Sequence, residues 1–263
     1  MNNPFESKNA VCLNVFSHPN HELALFGMEQ RLKPHFVYLT DGGGEDRVQQ
    51  TYEGLRSMGL LGRAHFLNHP EHDFYDRLLD VDAEFFVDVA EQLRQIIDQI
   101  KPDIICCDAV EFYNPVHDVA LPIVRAALRG FAGKPVVYEI PLVYQQPLED
   151  GVSYVCQRIP GSRAADCHRL ELKPEELSNK LNARQGIYTL LGEQMGATLQ
   201  DLSSAHLGVE EVALARMRVP QVAEDQVLRY EWRAEKLLRE GKIDRMIRYR
   251  ENYLPVAAAL FGV

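Results

Sequence analysis

Residues 10–17 read AVCLNVFS, and residues 18–22 continue as HPNHE. The first stretch is an apolar run bounded by polar segments, which is typical of a strand buried on both faces of a sheet. His18 therefore falls at the carboxyl end of this predicted strand. Residues 22–31, ELALFGMEQR, have the composition of a short helix. A strand that runs through a polar turn into a helix is the repeating unit of an α/β fold.

The same alternation of strand and helix continues along the chain. Predicted strands occupy residues 35–40, 64–68, 103–109 and 134–140, and predicted helices occupy residues 46–59, 82–101 and 118–130. The second strand runs into three glycines, which permit backbone angles that other residues avoid. The pattern predicts an α/β, Rossmann-like fold with a mostly parallel sheet and helices on both faces. In such sheets, ligands bind beyond the carboxyl ends of the strands.

The last third of the chain is predicted to be mostly helical. Residues 171–191 start near a proline and read as an amphipathic helix, and residues 225–261 contain one or two more helices. The alternating basic and acidic residues of the final segment favour a solvated helix face. Because no repeat or linker is visible, residues 1–263 are predicted to form one domain, with a helical C-terminal extension over about 192–263.

Composition narrows the classes of function. The 263 residues carry a formal net charge of −10, which argues against DNA, RNA and anionic membranes as primary partners, because phosphate binding needs basic surfaces. The apolar runs are shorter than the roughly 20 residues that span a bilayer. The five cysteines match no disulfide framework or CxxC pattern, and the N-terminus resembles no signal peptide. A cytoplasmic protein is therefore expected.

Three histidines fall where parallel sheets place their ligands. His18 and His21 follow the first predicted strand, and His117 follows the fourth. Three imidazoles and a water form a known shell for catalytic zinc, and the same donors also suit other divalent transition metals. The spacing makes a metal site of these three residues one interpretation, with Zn²⁺ as the expected ion, and the alternative is a chance pair of histidines three residues apart.

The order of motifs along the chain resembles the PIG-L (LmbE-like) family of zinc-dependent N-deacetylases. The first metal motif of that family, His-Pro-Asp-Asp-Glu after an apolar strand, corresponds to residues 18–22, and the second, His-Pro-Asp-His, corresponds to residues 114–117. The other matching positions are Leu39-Thr40-Asp41-Gly42, Arg47, Gln50, Met58-Gly59, Tyr138-Glu139-Ile140-Pro141 and Lys180 to Gln185. The match keeps this order across most of residues 1–190.

The resemblance implies that His18, His21 and His117 bind zinc. His21 replaces an aspartate of the family, so the implied shell is neutral rather than singly negative. Asn20 stands at the position of the family's general base, and Asn114 stands at that of a histidine that serves as an acid or electrostatic partner. An amide cannot accept a proton at these pH values, so Asn20 is predicted to position water.

A carboxylate elsewhere in the site would then act as the base. The candidates are Glu22, Asp118, Glu111 and Asp41. Glu22 has the alternative role of orienting a ligand or capping the helix. Asp118 has that of hydrogen-bonding a histidine, or of forming the N-cap of the next helix.

Other polar residues near the predicted rim have more than one interpretation. Tyr113 could donate to a tetrahedral oxyanion or form an aromatic lid. By resemblance, Arg47 could hold a polar or anionic group of a substrate, and the alternative is a surface arginine at a helix start. Asn114 and Asp41 are also predicted to contact substrate. Residues 69–73, HPEHD, could supply the missing acid–base group or form a solvent-exposed loop.

The resemblance thus implies a metal-dependent hydrolase that removes an acyl (acetyl) group from an N-acylated small molecule such as an amino sugar conjugate. The amide at Asn20 leaves an alternative, namely a diverged member that binds a metal or a small molecule without hydrolysis. A homo-oligomer is expected for a soluble enzyme of this size.

Overall fold

A computed structural model describes residues 4–6, 9–148, 151–190, 202–223 and 226–263 of the chain. Its strands form a seven-stranded sheet and a separate two-stranded hairpin. The large sheet contains β1 (Cys12–Phe16), β2 (His35–Thr40), β3 (Ala64–His69), β4 (Ile104–Asp108), β5 (Val136–Ile140), β8 (Cys167–Glu171) and β9 (Val209–Leu214). The hairpin contains β6 (Val143–Leu148) and β7 (Gly151–Cys156).

The large sheet has the strand order β3-β2-β1-β4-β5-β9-β8. The first five strands in this order are parallel, whereas β9 runs antiparallel to both β5 and β8. The strand order reverses at β1, whose neighbours are β2 and β4. Such a reversal is the topological switch point at which α/β sheets bind ligands. The predicted α/β fold with a mostly parallel sheet is confirmed.

Helices cover both faces of the large sheet. They are α1 (Phe26–Leu32), α2 (Glu45–Ser57), α3 (Glu71–Leu79), α4 (Ala83–Ile100), α5 (Pro115–Asp118), α6 (Ala120–Ala127), α7 (Pro174–Gly186), α8 (Ser204–Leu207), α9 (Arg229–Arg239) and α10 (Leu254–Phe261). On one face α4, α6 and α10 pack together, and on the other α1, α2 and α7 contribute to the core. None of the helices in the described ranges is long and apolar enough to cross a membrane.

The central strands are apolar on both sides because both faces of the sheet are covered. Leu13 of β1 belongs to the core under α4 and α6, whereas Phe16 belongs to the core of the opposite face. Cys107 and Cys106 of β4 divide between the same two cores, and both are free thiols. This two-sided burial explains why these strands read as continuous apolar runs rather than as alternating patterns.

The C-terminal third differs from its prediction. The helical region is confirmed by α9 and α10, but β8 and β9 extend the large sheet within segments that were expected to be helical or irregular. Part of the predicted extension, residues 192–201 and 224–225, lies outside the described residues. The strand β9 reads VEEVAL, and its two glutamates are buried in ion pairs with Lys180 and Arg158. Buried charge in an edge-side strand hides it from an apolar pattern.

Candidate metal centre

The carboxyl ends of β1, β2 and β4 form the framework of the site. Asp108, the last residue of β4, accepts hydrogen bonds at Oδ2 from Ser17 N (2.7 Å) and from the Ser17 hydroxyl. Thr40, at the end of β2, donates its hydroxyl to Ser17 O (2.7 Å). These bonds fix the backbone that carries His18 and place it at the switch point of the sheet.

Three buried imidazoles converge at this framework. The ring centroids of His18, His21 and His117 lie between 4.6 and 5.1 Å apart. One nitrogen of each ring can be chosen so that all three lie within 4.8 Å of one another. His18 and His21 follow β1, whereas His117 belongs to α5 after β4, so both sides of the switch point contribute. The structure therefore brings together the three residues that were predicted to bind a metal.

Hydrogen bonds orient two of the three rings. His21 Nδ1 lies 2.9 Å from Asp108 Oδ2 and donates to that carboxylate. His18 Nδ1 lies 3.0 Å from Thr40 Oγ1, whose single proton already goes to a backbone carbonyl, so His18 Nδ1 must be the donor. The lone pair of His18 is then on Nε2. Neither that atom nor His117 Nδ1 has a hydrogen-bond partner among the described residues.

Burial keeps two of the imidazoles neutral. It lowers the pKa of His18 well below its usual value, and the charges of His117, His21 and Arg47 lower it further. Burial also lowers the pKa of His117, with smaller contributions from His21 and Arg47. Neutral nitrogens that lack hydrogen-bond partners and lie close together are the donors that a divalent transition metal requires. The residues present therefore fit Zn²⁺, and the same donor set also suits Fe, Co, Ni or Cu.

Asp108 is a residue of the candidate site that the sequence did not single out. A carboxylate that accepts from the outer N–H of a metal-binding histidine fixes the tautomer of the ring and raises the basicity of its other nitrogen. The available signal was its position as a polar residue that ends the apolar run IICC at residues 104–107. Such a residue stands at the carboxyl end of a central strand, where ligands bind.

Asn20 lies in the turn between His18 and His21, and α2 holds its amide. It adopts a φ of 79°, and its backbone N–H donates to Thr51 Oγ1 (2.8 Å). Its Oδ1 accepts from the Thr51 hydroxyl (3.0 Å), and its Nδ2 donates to Gln50 Oε1 (3.0 Å). These bonds fasten the turn to α2. The positioning of water by Asn20 stays a prediction.

Glu22 and Glu111 are fully buried candidates for the base. Burial raises the pKa of Glu22, and the hydroxyls of Thr51 and Tyr188 lower it only in part. Burial raises the pKa of Glu111 well above its usual value, although both of its oxygens accept from backbone N–H groups at residues 142 and 143. Glu111 therefore anchors the segment that follows β5.

Asp118 secures the loop after β4. Its Oδ1 accepts from Glu111 N (2.8 Å) and Phe112 N (3.1 Å), and burial raises its pKa to about 8. The interpretation of Asp118 as the N-cap of the next helix is wrong, because Asp118 ends α5 and the N-cap of the next helix, α6, is Val119. Its role as a base stays a prediction.

Asn114 and Asp41 make hydrogen bonds that shape the rim of the site. Asn114 Oδ1 caps α5 by accepting the backbone N–H two residues later (2.9 Å), and it also accepts from Tyr75 OH (3.1 Å). Asp41 Oδ1 accepts from Gly43 N (2.9 Å) and from Glu71 N (2.9 Å). Both side chains have a structural role here, and their contact with a substrate stays a prediction.

The glycine loop brings Arg47 next to the histidines. The guanidinium donates to Gly42 O (3.0 Å) and to Pro19 O (3.0 Å), and burial lowers its pKa. Arg47 lies in the first turn of α2 and is half-buried, so its interpretation as a surface arginine holds only in part, and its contact with a substrate stays a prediction. Gly42 has a φ of 68°, and a Cβ on it would lie 2.9 Å from Pro19 Cδ, so this position requires glycine.

Glu71 comes from the HPEHD segment and lies beside the histidine cluster. Its Oε1 is 3.5 Å from His18 Nε2, and its side chain is 18% exposed. The interpretation of this segment as a solvent-exposed loop is wrong for Glu71, which begins α3, whereas the neighbouring His72 is 77% exposed. The structure thus places a carboxylate of this segment at the histidine cluster, and its role as the acid–base group stays a prediction.

Tyr113 lies farther along the rim and is half-buried. The Cζ atom of Arg229 lies 4.0 Å from its ring centroid, and Tyr154 packs edge-on against it with a centroid distance of 5.8 Å. These contacts make Tyr113 part of the wall of a cleft. Its donation to an oxyanion stays a prediction.

Comparisons with known proteins support the fold. No protein-family model and no curated protein sequence matches the chain. The solved structure of the A40926 pseudoaglycone deacetylase is similar, with a TM-score of 0.50, 12% identity, and coverage of 78% of this chain and 96% of that one. For a deacetylase triple mutant from the teicoplanin biosynthetic pathway, the TM-score is 0.49 and the identity 13%, with coverage of 78% of this chain and 99% of that one. For a conserved protein from Thermus thermophilus, the TM-score is 0.47 and the identity 16%, with coverage of 83% of this chain and 100% of that one.

These comparisons bear on fold and not on the residues of the site. At 12% identity, the likeness to the A40926 pseudoaglycone deacetylase shows that the two chains share an α/β architecture over most of their lengths. The assignment to the PIG-L family stays a prediction that rests on the order of the motifs. The chain thus shares its α/β architecture with that protein and has a cluster of three histidines at the switch point of the sheet.

Proposed function

We propose that the protein is a metal-dependent hydrolase that removes an acetyl group from an N-acylated small molecule, such as an amino sugar conjugate. The observation that carries this proposal is the set of three buried histidines at the switch point, in which His18 Nε2 and His117 Nδ1 have no hydrogen-bond partner among the residues described. A buried polar atom without a partner is costly unless a ligand uses it.

His18, His21 and His117 would hold the ion. When bound, a divalent ion of this kind supplies Lewis-acid polarisation of an amide carbonyl and makes an attacking water more acidic. Asp108 would keep His21 in the tautomer whose free nitrogen is a donor, and Thr40 would do the same for His18. The half-buried guanidinium of Arg47 adds positive charge beside the cluster, where it would favour a substrate oxygen that becomes negative.

Glu71 is proposed as the group that moves the proton. Its Oε1 lies 3.5 Å from His18 Nε2, and its partial exposure lets a water reach it. In the proposed reaction, Glu71 accepts a proton from the attacking water while the water oxygen bonds to the carbonyl carbon. The C–N bond then breaks, and Glu71 returns the proton to the leaving amine, so that acetate and a free amine result.

Substitution of Glu71 tests this assignment. Glu71→Gln should lower kcat by about 10² to 10⁴-fold and leave the metal content unchanged, because the amide fills the same space but accepts no proton. Asp73→Asn, an exposed change in the same helix, is the matched control and should keep full activity. Retained activity in Glu71→Gln would show that another group moves the proton.

The type of substrate is proposed from two sources. The order of the motifs resembles a family of N-deacetylases, and the solved structure of similar fold at a TM-score of 0.50 belongs to a deacetylase that acts on a pseudoaglycone. Both favour an acetylated amine, and the resemblance favours one on an amino sugar. The acidic net charge of −10 agrees with a small-molecule substrate rather than a nucleic acid.

Metal analysis provides the first test of the proposed function. The purified protein should contain about one divalent ion per chain, and His21→Ala should lose most of it. Removal of the ion with a chelator should abolish release of acetate from N-acetylated amino sugars, and added Zn²⁺ should restore it. No ion in the wild-type protein after incubation with Zn²⁺ would overturn the proposal.

A second candidate function is a metal- or small-molecule-binding protein without turnover. The hydrogen bonds of the Asn20 amide to Gln50 and Thr51 favour it, because an amide held in this way cannot serve as a base. Such a protein would be stabilised against heat by Zn²⁺ but would release no acetate from any acetylated amine. Turnover that depends on Glu71 would exclude this candidate.

A further inference from the structure

A cleft of about 420 Å³ lies at the start of α5, the helical turn that contains His117. Tyr75 of α3 and Asn114 at the start of α5 line one part of it, and Arg229 and Arg233 of α9 line another. Its volume is in the range of small-molecule sites. The rest of the lining is mainly apolar, with several side chains from residues 234–247.

Two residues that line the cleft are linked to residues of the proposed reaction site. The Tyr75 hydroxyl donates to Asn114 Oδ1 (3.1 Å), and Asn114 caps the helical turn that contains His117. Tyr75 also lies one helical turn after Glu71, whose carboxylate is 3.5 Å from His18 Nε2. A molecule bound in the cleft would therefore contact the same two helices, α3 and α5, that carry Glu71 and His117.

The charged side chains that line the cleft are all arginines. Of these, Arg245 pairs with Asp80 (2.6 Å), but Arg229 and Arg233 pair with no carboxylate in the part of the chain that the structure describes. The chain as a whole has a net charge of −10, so acidic partners are plentiful elsewhere. Two unpaired guanidinium groups in one concave site give it a local positive potential.

Aromatic contacts hold Arg229 in place. Its Cζ atom lies 4.0 Å from the ring centroid of Tyr113 and 5.2 Å from that of Tyr154. Contact with ring faces uses none of the five N–H donors of a guanidinium. Arg233 is exposed at the cleft. Burial and the charge of Glu71 raise the pKa of Tyr75, and the positive charge of Arg233 acts in the opposite direction, so Arg233 is close enough to affect groups in the cleft. A preorganised arginine beside a second, adaptable one suits a carboxylate or phosphate.

We propose that this cleft binds an anionic group of the acylated substrate, a carboxylate or a phosphate, through Arg229 and Arg233. The inference rests on the proposed hydrolase function for the position of the substrate but not for the binding of the anion. It assigns α9, in the C-terminal region, the task of selecting acidic conjugates over neutral ones.

Calorimetric binding tests the cleft with three related probes. These are N-acetylglucosamine, N-acetylglucosamine 6-phosphate and N-acetylmuramic acid, which are neutral, phosphorylated and carboxylated. The wild-type protein should bind at least one anionic probe about tenfold more tightly than the neutral one, and Arg229→Gln and Arg233→Gln should each remove about that factor. The affinity for the neutral probe should stay unchanged in both variants. The preferred probe identifies the anion as phosphate or carboxylate.

The controls separate this proposal from the hydrolase. Arg94→Gln changes the net charge equally on a remote helix and should leave all affinities unaltered. His117→Ala should abolish acetate release and keep the preference for the anionic probe. Arg233 is exposed, so its variant tests the cleft even where Arg229→Gln fails to fold. Equal affinity of wild type for neutral and anionic probes, or anion binding unaffected by Arg233→Gln, would overturn the cleft proposal and leave the hydrolase proposal standing.

Discussion

Two clusters of buried polar groups lie on the same α/β framework, and they differ in how their atoms are satisfied. In the first, beneath α1, Lys180 Nζ donates to Glu210 Oε1 (2.9 Å) and to Ala24 O (3.0 Å). Glu210 in turn accepts from two N–H groups in the first turn of α1 (2.8 and 2.7 Å). A carboxylate at a helix N-terminus, neutralised by a buried lysine, is a complete internal structure.

The histidine cluster is incomplete by the same standard. Asp108 and Thr40 bind the outer nitrogens of His21 and His18, but His18 Nε2 and His117 Nδ1 have no hydrogen-bond partner within the described ranges. The contrast teaches that burial of polar groups does not by itself identify a functional site. The distinguishing feature is a set of histidine nitrogens that lie close together and have no hydrogen-bond partner within the described part of the protein, so that they can bind a metal ion.

Removal of a histidine should have the largest effect on activity. His117→Ala is expected to remove most of the bound metal and to lower kcat/KM by more than about a hundredfold, the upper end of the loss caused by removal of an outer partner. Its metal-free stability should stay close to that of the wild-type protein, because no internal partner of His117 Nδ1 is left unsatisfied. Elemental analysis, kinetics and urea unfolding measure these effects. His72→Ala, which changes an exposed histidine, is the control, and full metal occupancy in His117→Ala would contradict the comparison.

The cluster of Lys180 and Glu210, here called the satisfied cluster, should affect stability rather than metal content. Lys180→Met leaves the buried carboxylate of Glu210 without its counter-charge and is expected to destabilise the fold by about 3–5 kcal/mol, with the metal content unchanged in the folded fraction. Lys236→Met, which breaks an exposed pair with Glu240, should cost about 0.5 kcal/mol or less. Urea unfolding of the two variants measures the difference. Loss of metal from folded Lys180→Met would contradict the comparison, because it would show that metal binding depends on the Lys180–Glu210 cluster.

Asp108 belongs to both comparisons. Its own carboxylate is hydrogen-bonded inside the protein, and it orients His21, one of the three histidines proposed to bind the metal. Asp108→Asn keeps an acceptor for Ser17 and His21 but loses the charge, and we expect metal affinity to fall about tenfold to a hundredfold. Competition with a chromogenic chelator gives the affinity of the ion. Unchanged affinity would mean that Asp108 holds the β1–β4 junction and has no influence on the histidines.

The convergence of the three histidines and the parallel strands could be predicted from sequence, because both follow from where apolar runs end. Apolar runs specify strands that are covered on both faces, and polar residues at their ends lie at one rim. The role of Glu71 could not be resolved, because α3 approaches His18 only through the tertiary fold. The strand β9 was missed because burial of its glutamates depends on Lys180 and Arg158, which come from distant segments. The arginine cleft likewise depends on where α9 packs.

The smallest effect concerns the edge of the satisfied cluster, where Arg31 of α1 meets Glu176 of α7. The two side chains form a bidentate pair (2.7 and 2.5 Å), and the hydrogen bonds from Arg31 lower the pKa of Glu176. A lowered pKa means that the folded state prefers the ionised carboxylate. The pair therefore stabilises the fold fully above the unfolded pKa of about 4.3, and this stability is lost as pH falls through the lower folded value.

Glu176→Gln should accordingly reduce the free energy of unfolding at about pH 7 by at most about 1 kcal/mol, because the pair is partly solvated. The difference from the wild-type protein should shrink as the pH is lowered toward about 3.5, where the carboxylate of the wild type becomes protonated. Urea unfolding at several pH values measures it, and Glu175→Gln in the same turn, an exposed carboxylate, provides the control. A difference that persists at low pH would assign the effect to packing between α1 and α7 rather than to charge. The charge of the Arg31–Glu176 pair would then add nothing to the stability of the satisfied cluster. The difference between that cluster and the histidine cluster would depend on the Lys180–Glu210 pair alone.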